Sequence, residues 1–163
     1  MSAVHNSASL RSAKPVGRAR SGRAVLVSGL ASDAHSWNLV YLQLLLEELG
    51  HDVRNLGPCV PDELLVAACH RHRPALVVIS SVNGHGYQEG LRLIRALRGQ
   101  VGLGDLPVVI GGKLGITGGE SEERIGALLD AGFDAVFDDR PDAPALFRKF
   151  VSGVARGARR ELR

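Results

Sequence analysis

Ala24-Val25-Leu26-Val27-Ser28-Gly29-Leu30 is a short apolar run rich in β-branched valine. Trp37-Asn38-Leu39-Val40-Tyr41-Leu42-Gln43-Leu44-Leu45-Leu46-Glu47-Glu48-Leu49 follows and is stopped by Gly50. The first reads as a buried strand. The second is long enough for three helical turns and ends where a glycine can take up the left-handed cap. Between them lies Ser32-Asp33-Ala34-His35-Ser36, a polar loop at the carboxyl end of the strand. This strand, loop and helix form the unit from which the rest of the chain is read.

The unit recurs. Val53 to Leu56 reads as a second strand, closed by Gly57-Pro58. Pro61-Asp62-Glu63 opens a helix to about His72, with proline in the first turn and acids near the positive end of the helix. Ala75 to Ser80 is the third strand. Tyr87 to Leu97 is the third helix, with Leu91, Ile94 and Leu97 on one face and Arg92, Arg95 and Arg98 on another. Leu106 to Ile110 is the fourth strand, Ser121 to Ala131 a helix closed by Gly132, Ala135 to Phe137 a fifth strand, and Pro144 to Ala155 a final helix. Five βα repeats predict an α/β fold: a five-stranded parallel, doubly wound sheet covered on both faces. Right-handed crossovers leave few topologies, and the flavodoxin-like (Rossmann-like) order 2-1-3-4-5 is the natural one. Such sheets bind ligands beyond the carboxyl ends of their strands, at the switch between strands one and three.

Composition bounds the function. The chain has 163 residues, enough for one domain with a real core. No apolar stretch approaches the roughly 18–20 residues of a membrane span. The start lacks the apolar segment of a secretory signal. Cys59 and Cys69 are the two cysteines and form no CxxC, so a reduced, cytoplasmic protein is expected. The net charge of +3 resides at the ends. Residues 1–23 hold five basic side chains and no acid, and residues 156–163 hold four arginines against Glu161, so the intervening body is acidic. These ends are expected to be a disordered basic N-terminal tail over 1–23 and a basic C-terminal tail over 156–163, flanking a domain over 24–155. With one Trp, two Tyr and four Phe there is no aromatic platform for single-stranded nucleic acid. Neither nucleic acid nor membrane is an expected partner.

Three loops carry the chemistry. Asp33 stands two residues before His35, a spacing that lets a carboxylate accept the proton of one imidazole nitrogen and leave the other free to ligate a metal. Ser80-Ser81-Val82-Asn83-Gly84-His85-Gly86 follows the third strand, and Gly111-Gly112-Lys113-Leu114-Gly115 the fourth. The topology brings all three to one rim. Taken singly each has a plain structural reading: His35 as a surface histidine, Asp33 as a turn former or helix cap, Ser80 as a strand terminator, Gly111-Gly112 as a turn. No acid–base pair or nucleophile triad stands out, which agrees with a carrier of a cofactor that does the chemistry itself.

Asp33-x-His35, Ser80-x-Val82 and Gly111-Gly112 together resemble the DxHxxG…SxL…GG signature of cobalamin-binding domains, over nearly all of residues 24–150. The likeness is closest to the small subunits of glutamate mutases (methylaspartate mutases). Asn38 stands where the signature has Gly, and Val82 where it has Leu. The resemblance implies adenosylcobalamin as cofactor, with His35 as axial cobalt ligand and Asp33 orienting it. Ser32, Ala34 and Ser36 would lie in the ligand loop. Ser80, Ser81 and Val82 would line a slot for the nucleotide tail, Gly111 and Gly112 would let backbone approach it, and Lys113, Leu114, Gly115, Ile116 and Thr117 would border its ribose and phosphate. It also implies a large, barrel-shaped catalytic subunit as partner, an amino-acid substrate held through that partner, and radical interconversion of L-glutamate and (2S,3S)-3-methylaspartate. A corrinoid carrier for methyl transfer and a non-catalytic cobalamin-binding sensor or interaction module remain alternatives on the same fold. A phospho-acceptor response module fits less well, because the third strand ends in Ser80-Ser81 rather than in an aspartate. A flavin site is disfavoured because Asp33 would face the flavin phosphate.

Overall fold

The structure is a computed structural model that describes residues 23–115 and 121–161. The expected N-terminal tail, apart from Arg23, and the expected site residues Ile116 and Thr117 lie outside the described residues.

Ten elements alternate along the chain: β1 (Val25–Gly29), α1 (Trp37–Glu48), β2 (Val53–Asn55), α2 (Asp62–His72), β3 (Leu76–Ser81), α3 (Gly86–Arg98), β4 (Val108–Gly112), α4 (Ser121–Ala131), β5 (Ala135–Phe137) and α5 (Ala143–Glu161). The sheet is parallel throughout, in the expected order β2-β1-β3-β4-β5. The three central strands are buried on both faces, which is why they read as continuous apolar runs. Their side chains alternate. Leu26, Val77, Ile79, Val108 and Ile110 face a core shared with α2, α3 and α4. Val25, Val27, Leu76, Val78 and Val109 face a smaller core shared with α1 and α5. Each fully buried Leu or Ile contributes about 1.5–3 kcal/mol, so the interior of these three strands sets the stability of the domain.

The register aligns the functional rim. Gly29 pairs with Ser80, and Ser80 with Gly111, so the three loops leave the sheet at one level.

Four local expectations change. Gly111 and Gly112 are the last residues of β4 rather than a loop. Pro61 is the N-cap of α2, its carbonyl accepting from the N–H groups of Leu64 and Leu65, and not a first-turn residue. Arg98 does not lie on a solvated face. It donates to the carbonyls of Gly132 (2.7 Å), Leu103 (2.9 Å) and Leu106 (2.7 Å) and to Asp134 (3.1 Å), tying the end of α3 to the segments that flank β4 and β5. Finally, α5 runs to Glu161 and not to Ala155, so the boundary expected at 155 falls inside a helix. Ala158, Arg159 and Arg160 favour helix, and no proline follows Pro144 to break it.

Candidate functional site: a carboxylate–imidazole pair beside an apolar slot

The β1–α1 loop is organised by Asp33. Its N–H closes a turn onto the carbonyl of Leu30 (3.1 Å), and its own carbonyl accepts from Cys59 N–H (2.9 Å). The side chain is buried, 1% exposed, in a chain position that sequence patterning would assign to a solvated loop. Burial alone would push its carboxyl pKa up. That effect is outweighed by the N–H groups of Val82 (2.7 Å) and His35 (3.1 Å) and by the His35 ring, and the pKa is lowered. A buried carboxylate stays ionised only when its lone pairs are met in this way.

Asp33 Oδ1 lies 2.7 Å from His35 Nδ1. An ionised carboxylate is an acceptor only, so Nδ1 carries the proton and donates it, and the lone pair of the neutral ring is on Nε2. The imidazole is 49% exposed, turned out from the rim and not into the core. The chain therefore holds a basic ring nitrogen in fixed tautomer and orientation with room in front of it, the arrangement of a metal-ligating histidine.

Beside this pair lies a cavity of about 280 Å³ between α1 and α5, floored by β3 and β4. Trp37, Tyr41 and Leu45 form one wall and Pro144 and Phe147 the other. Phe137 meets Phe147 edge to face at 5.4 Å and closes the far side. The lining is mostly apolar, with Asn38, Ser80, Asp138, Asp139 and Arg140 as its polar members. Its volume lies near the lower end of the ~300–1,000 Å³ range of small-molecule pockets, enough for a flat bicyclic base and not for a corrin macrocycle. The space lies over β3 and β4 rather than over the β1–β3 switch itself, because α1 covers the latter.

The expected site residues divide. Ser80, Val82, Gly111 and Gly112 line the cavity. Asp33 and His35 do not line it; Asp33 meets it through Val82, whose N–H it accepts (2.7 Å), and Ala34 and Ser36 are exposed beside the pair. Ser36 is the N-cap of α1 without a side-chain capping bond. Ser32 braces the loop: its hydroxyl donates to Glu89 and accepts from Asn83 Nδ2 (3.0 Å), and Asn83 Nδ2 also donates to its carbonyl (3.2 Å). Ser81 is fully buried, and its hydroxyl donates to Asn83 Oδ1 (3.2 Å). Lys113 and Gly115 are exposed. Leu114 departs furthest from expectation: it is buried in the core under α3 and does not line the cavity. The two glycines are also explained differently. A Cβ on Gly111 would meet the Phe137 carbonyl oxygen at 2.9 Å, and Gly112, at φ +101°, would press one onto the Ser81 carbonyl. Neighbouring strands, as well as any ligand, exclude a side chain there.

Sequence reading missed Glu89 and Asn83 as braces, and it weighed Asn38 only as a missing glycine. Asn38 is the second residue of α1 and needs no left-handed backbone. It is 6% exposed, donates from Nδ2 to Ser80 Oγ (2.7 Å), and leaves Oδ1 buried with no partner. An orphaned buried acceptor costs about 1–3 kcal/mol. The poised imidazole and the slot near it fit a corrinoid that carries a nucleotide tail.

Residues 23–143 match the B12-binding domain family. The chain belongs to that family. Among its relatives, glutamate mutase sigma subunit 1 of Haloarcula marismortui is 32% identical over 120 residues, 74% of this chain and 78% of the relative. Glutamate mutase sigma subunit 2 of the same organism is 27% identical over 139 residues, 85% of this chain and 93% of the relative. Among solved structures, a cobalamin-binding protein from Desulfitobacterium hafniense DCB-2 superposes with a TM-score of 0.59 at 23% identity, over 84% of this chain. This chain spans 58% of that protein's length, and the likeness is one of fold. The B12-binding fold, the parallel 2-1-3-4-5 sheet and the likeness to the small subunits of glutamate mutase are thereby established for this chain. Among the described residues no helix is long and apolar enough to cross a membrane.

Proposed function

We propose that this chain is the cobalamin-binding subunit of an adenosylcobalamin-dependent carbon-skeleton mutase that interconverts L-glutamate and (2S,3S)-3-methylaspartate, working in the cytoplasm with a large, barrel-shaped catalytic subunit. The observation that carries the reading is the Asp33–His35 pair: a buried, ionised carboxylate holding a half-exposed imidazole beside an apolar slot. The sigma-subunit relatives support the choice of reaction.

When bound, adenosylcobalamin supplies a homolysable cobalt–carbon bond and hence radical chemistry. The chain's own contribution is positional. Asp33 keeps the Nδ1 proton of His35, so that Nε2 would hold the cobalt. Val82 N–H locks the second oxygen of Asp33, which couples the imidazole to the end of β3. Ser32, Glu89 and Asn83 hold the loop down, and Ser80, Val82, Gly111 and Gly112, which line the slot, would receive the nucleotide tail.

A partner subunit is supported by the outer face of α1. Trp37, Val40, Tyr41 and Leu44 are 50–67% exposed and follow i, i+3, i+4, i+7 spacing, an apolar stripe beside the ligand rim of the kind that marks an interface. Arg92 and Arg140 are each held by acids of this chain, Asp62 and Asp138 respectively, so recognition of the substrate carboxylates is assigned to the partner.

The test is spectroscopic and then catalytic. Titration with cobalamin is expected to move the visible spectrum to that of a corrinoid detached from its own base and ligated by histidine, a change lost in His35→Ala. A spectrum that keeps the cofactor's base on cobalt, or one indifferent to His35→Ala, overturns the ligation. Methylaspartate formed from L-glutamate only when this chain and a glutamate mutase catalytic subunit are mixed supports the reaction. No product from that mixture, with cofactor bound, overturns it.

A further inference from the structure

The loop that carries His35 is gripped from three elements. At the end of β3, Val82 N–H donates to Asp33 Oδ2 (2.7 Å), and from the β2–α2 loop Cys59 N–H donates to the Asp33 carbonyl (2.9 Å). The third grip comes from α3 and falls one residue earlier. Ser32 gives its N–H to Glu89 Oε1 (3.3 Å) and its hydroxyl to Glu89 Oε2. Asn83 Nδ2 in turn donates to the Ser32 hydroxyl oxygen (3.0 Å) and carbonyl (3.2 Å). Ser32 lies exposed on a loop, yet its N–H, its C=O and its hydroxyl are all held by side chains of another βα unit. One hydrogen bond fixes a distance and leaves rotation about it. Two bonds to one carboxylate fix a direction as well.

Glu89 is itself fixed. Its side chain is 13% exposed, and Arg92 Nη2 lies 3.6 Å from Oε1. The same guanidinium donates to both oxygens of Asp62 on α2 (2.7 and 3.3 Å). One turn further along α3, Leu93 and Ile94 are sunk in the core shared with α2 and α4. A solvated surface ion pair would contribute little. This carboxylate is mostly out of water and takes a backbone N–H besides, so its loss leaves the Ser32–Asp33 peptide free to turn. The contact between Asp33 Oδ1 and His35 Nδ1 holds the ring only while donor and acceptor stay aligned, because hydrogen bonds weaken steeply off axis. We infer that Glu89 is a positioning residue for His35: it carries the rigidity of the packed core into an exposed loop and keeps Asp33 Oδ1 in line with the ring. The inference takes its functional meaning from the cobalamin reading above and its geometry from the hydrogen bonds alone.

The test reads the ring before it reads the cofactor. The ¹⁵N resonances of the His35 imidazole, assigned by their absence from His35→Ala, are recorded on the cofactor-free chain at about pH 8, where an imidazole is neutral. The wild-type chain is expected to show the Nδ1–H tautomer, and Glu89→Ala a mixture of the two. Cobalamin affinity, from titration of the visible spectrum, is expected to fall about tenfold in Glu89→Ala. Glu89→Gln keeps an oxygen for Ser32, so it is expected to keep the tautomer and to lose no more than about twofold in affinity. Ser32→Ala leaves α3 untouched and is expected to shift the ring in the same direction; it carries the comparison should Glu89→Ala not fold. Wild-type tautomer and affinity in Glu89→Ala, or losses as large in Glu89→Gln, overturn the inference and leave the cobalamin reading intact. A tautomer that shifts in Glu89→Ala while no chain binds cobalamin overturns that reading and leaves the positioning of the imidazole standing.

Discussion

The two faces of the sheet are built to different standards. On one, α2, α3 and α4 close over a continuous core that runs from Leu26 to Phe133. On the other, α1 and α5 leave a cavity of about 280 Å³ between them. Simple dimensions explain the contrast. Five strands about 4.8 Å apart make a sheet roughly 24 Å wide. Three helices of about 10 Å diameter cover that width with overlap, whereas two do not. A five-unit doubly wound chain must place its helices three and two, so one face is complete and the other is short of material. The gap falls over β3 and β4, beside the strand ends that carry Ser80 and Gly111 and next to the loop that carries His35. The slot thus follows from helix count, and the sealed face supplies the rigidity against which an open face can be kept.

The largest expected effect tests that division directly. Ile94 is fully buried on the sealed face, and Ile94→Ala is expected to cost about 2–5 kcal/mol in chemical denaturation. Tyr41 lies on the wall of the cavity and is 54% exposed, so Tyr41→Ala is expected to cost less than about 1 kcal/mol. Equal losses at the two positions would mean that the open face carries as much of the stability as the closed one, and the comparison would fail.

The strands of this division were legible in the sequence because parallel strands buried on both faces are continuous apolar runs. The five helices were legible from their period and punctuation. What was not legible depended on packing between elements. Arg98 carries the same side chain whether it faces water or three backbone carbonyls, and only the approach of Gly132, Leu103 and Leu106 decides which. Gly111-Gly112 carries the composition of a turn, yet its strand pairing with Ser80 and Ser81 extends β4. The contact between Asp33 and His35 was legible because their spacing encodes a local hydrogen bond. Leu114 was misjudged because proximity in sequence to a glycine pair says nothing about which way a side chain turns. The cavity itself has no sequence signature: its walls come from α1 near one end of the domain and from β5 and α5 near the other.

The floor of the open face should be as exacting as the sealed side even though its roof is not. Gly112→Ala forces a side chain onto the Ser81 carbonyl at φ +101° and is expected to cost about 1–3 kcal/mol. Gly104 has open space around its would-be Cβ, and Gly104→Ala should stay within about 0.5 kcal/mol. A harmless Gly112→Ala would show that the β3–β4 seam yields, and that glycine there serves the ligand alone.

The rim between the faces is predicted to be acid-sensitive in a definite direction. Asp33 is lowered from the ordinary 3.8 of an aspartate because, against the opposing pull of burial, the N–H groups of Val82 and His35 and the His35 ring favour its ionised form. A carboxyl lowered in the folded state contributes stability that is complete above the unfolded value and is lost as pH falls through the folded one. Asp33→Asn removes the charge that three donors converge on and is expected to cost about 1.5–3 kcal/mol at neutral pH. It should also flatten the fall in stability of the wild-type protein below about pH 4, as read from denaturant midpoints at stepped pH. A variant with the wild-type acid profile would assign that sensitivity to other carboxylates.

The smallest effect separates the faces without perturbing either. Cys59 is exposed on the β2–α2 loop at the rim, its thiol 3.6 Å from the Asp33 carbonyl, whereas Cys69 is fully buried in α2 on the sealed face. Burial pushes the Cys69 thiol up to about 11, so at pH 8 it is both inaccessible and protonated. Iodoacetamide at that pH is therefore expected to add one label to the native chain, at Cys59, and a second only after denaturation, as counted by intact mass. The rate of the second label in the absence of denaturant reports how often α2 lifts from the sheet. A rate for Cys69 approaching that for Cys59 would mean that the sealed face opens as freely as the slot, and that three helices over five strands are no more complete a cover than two.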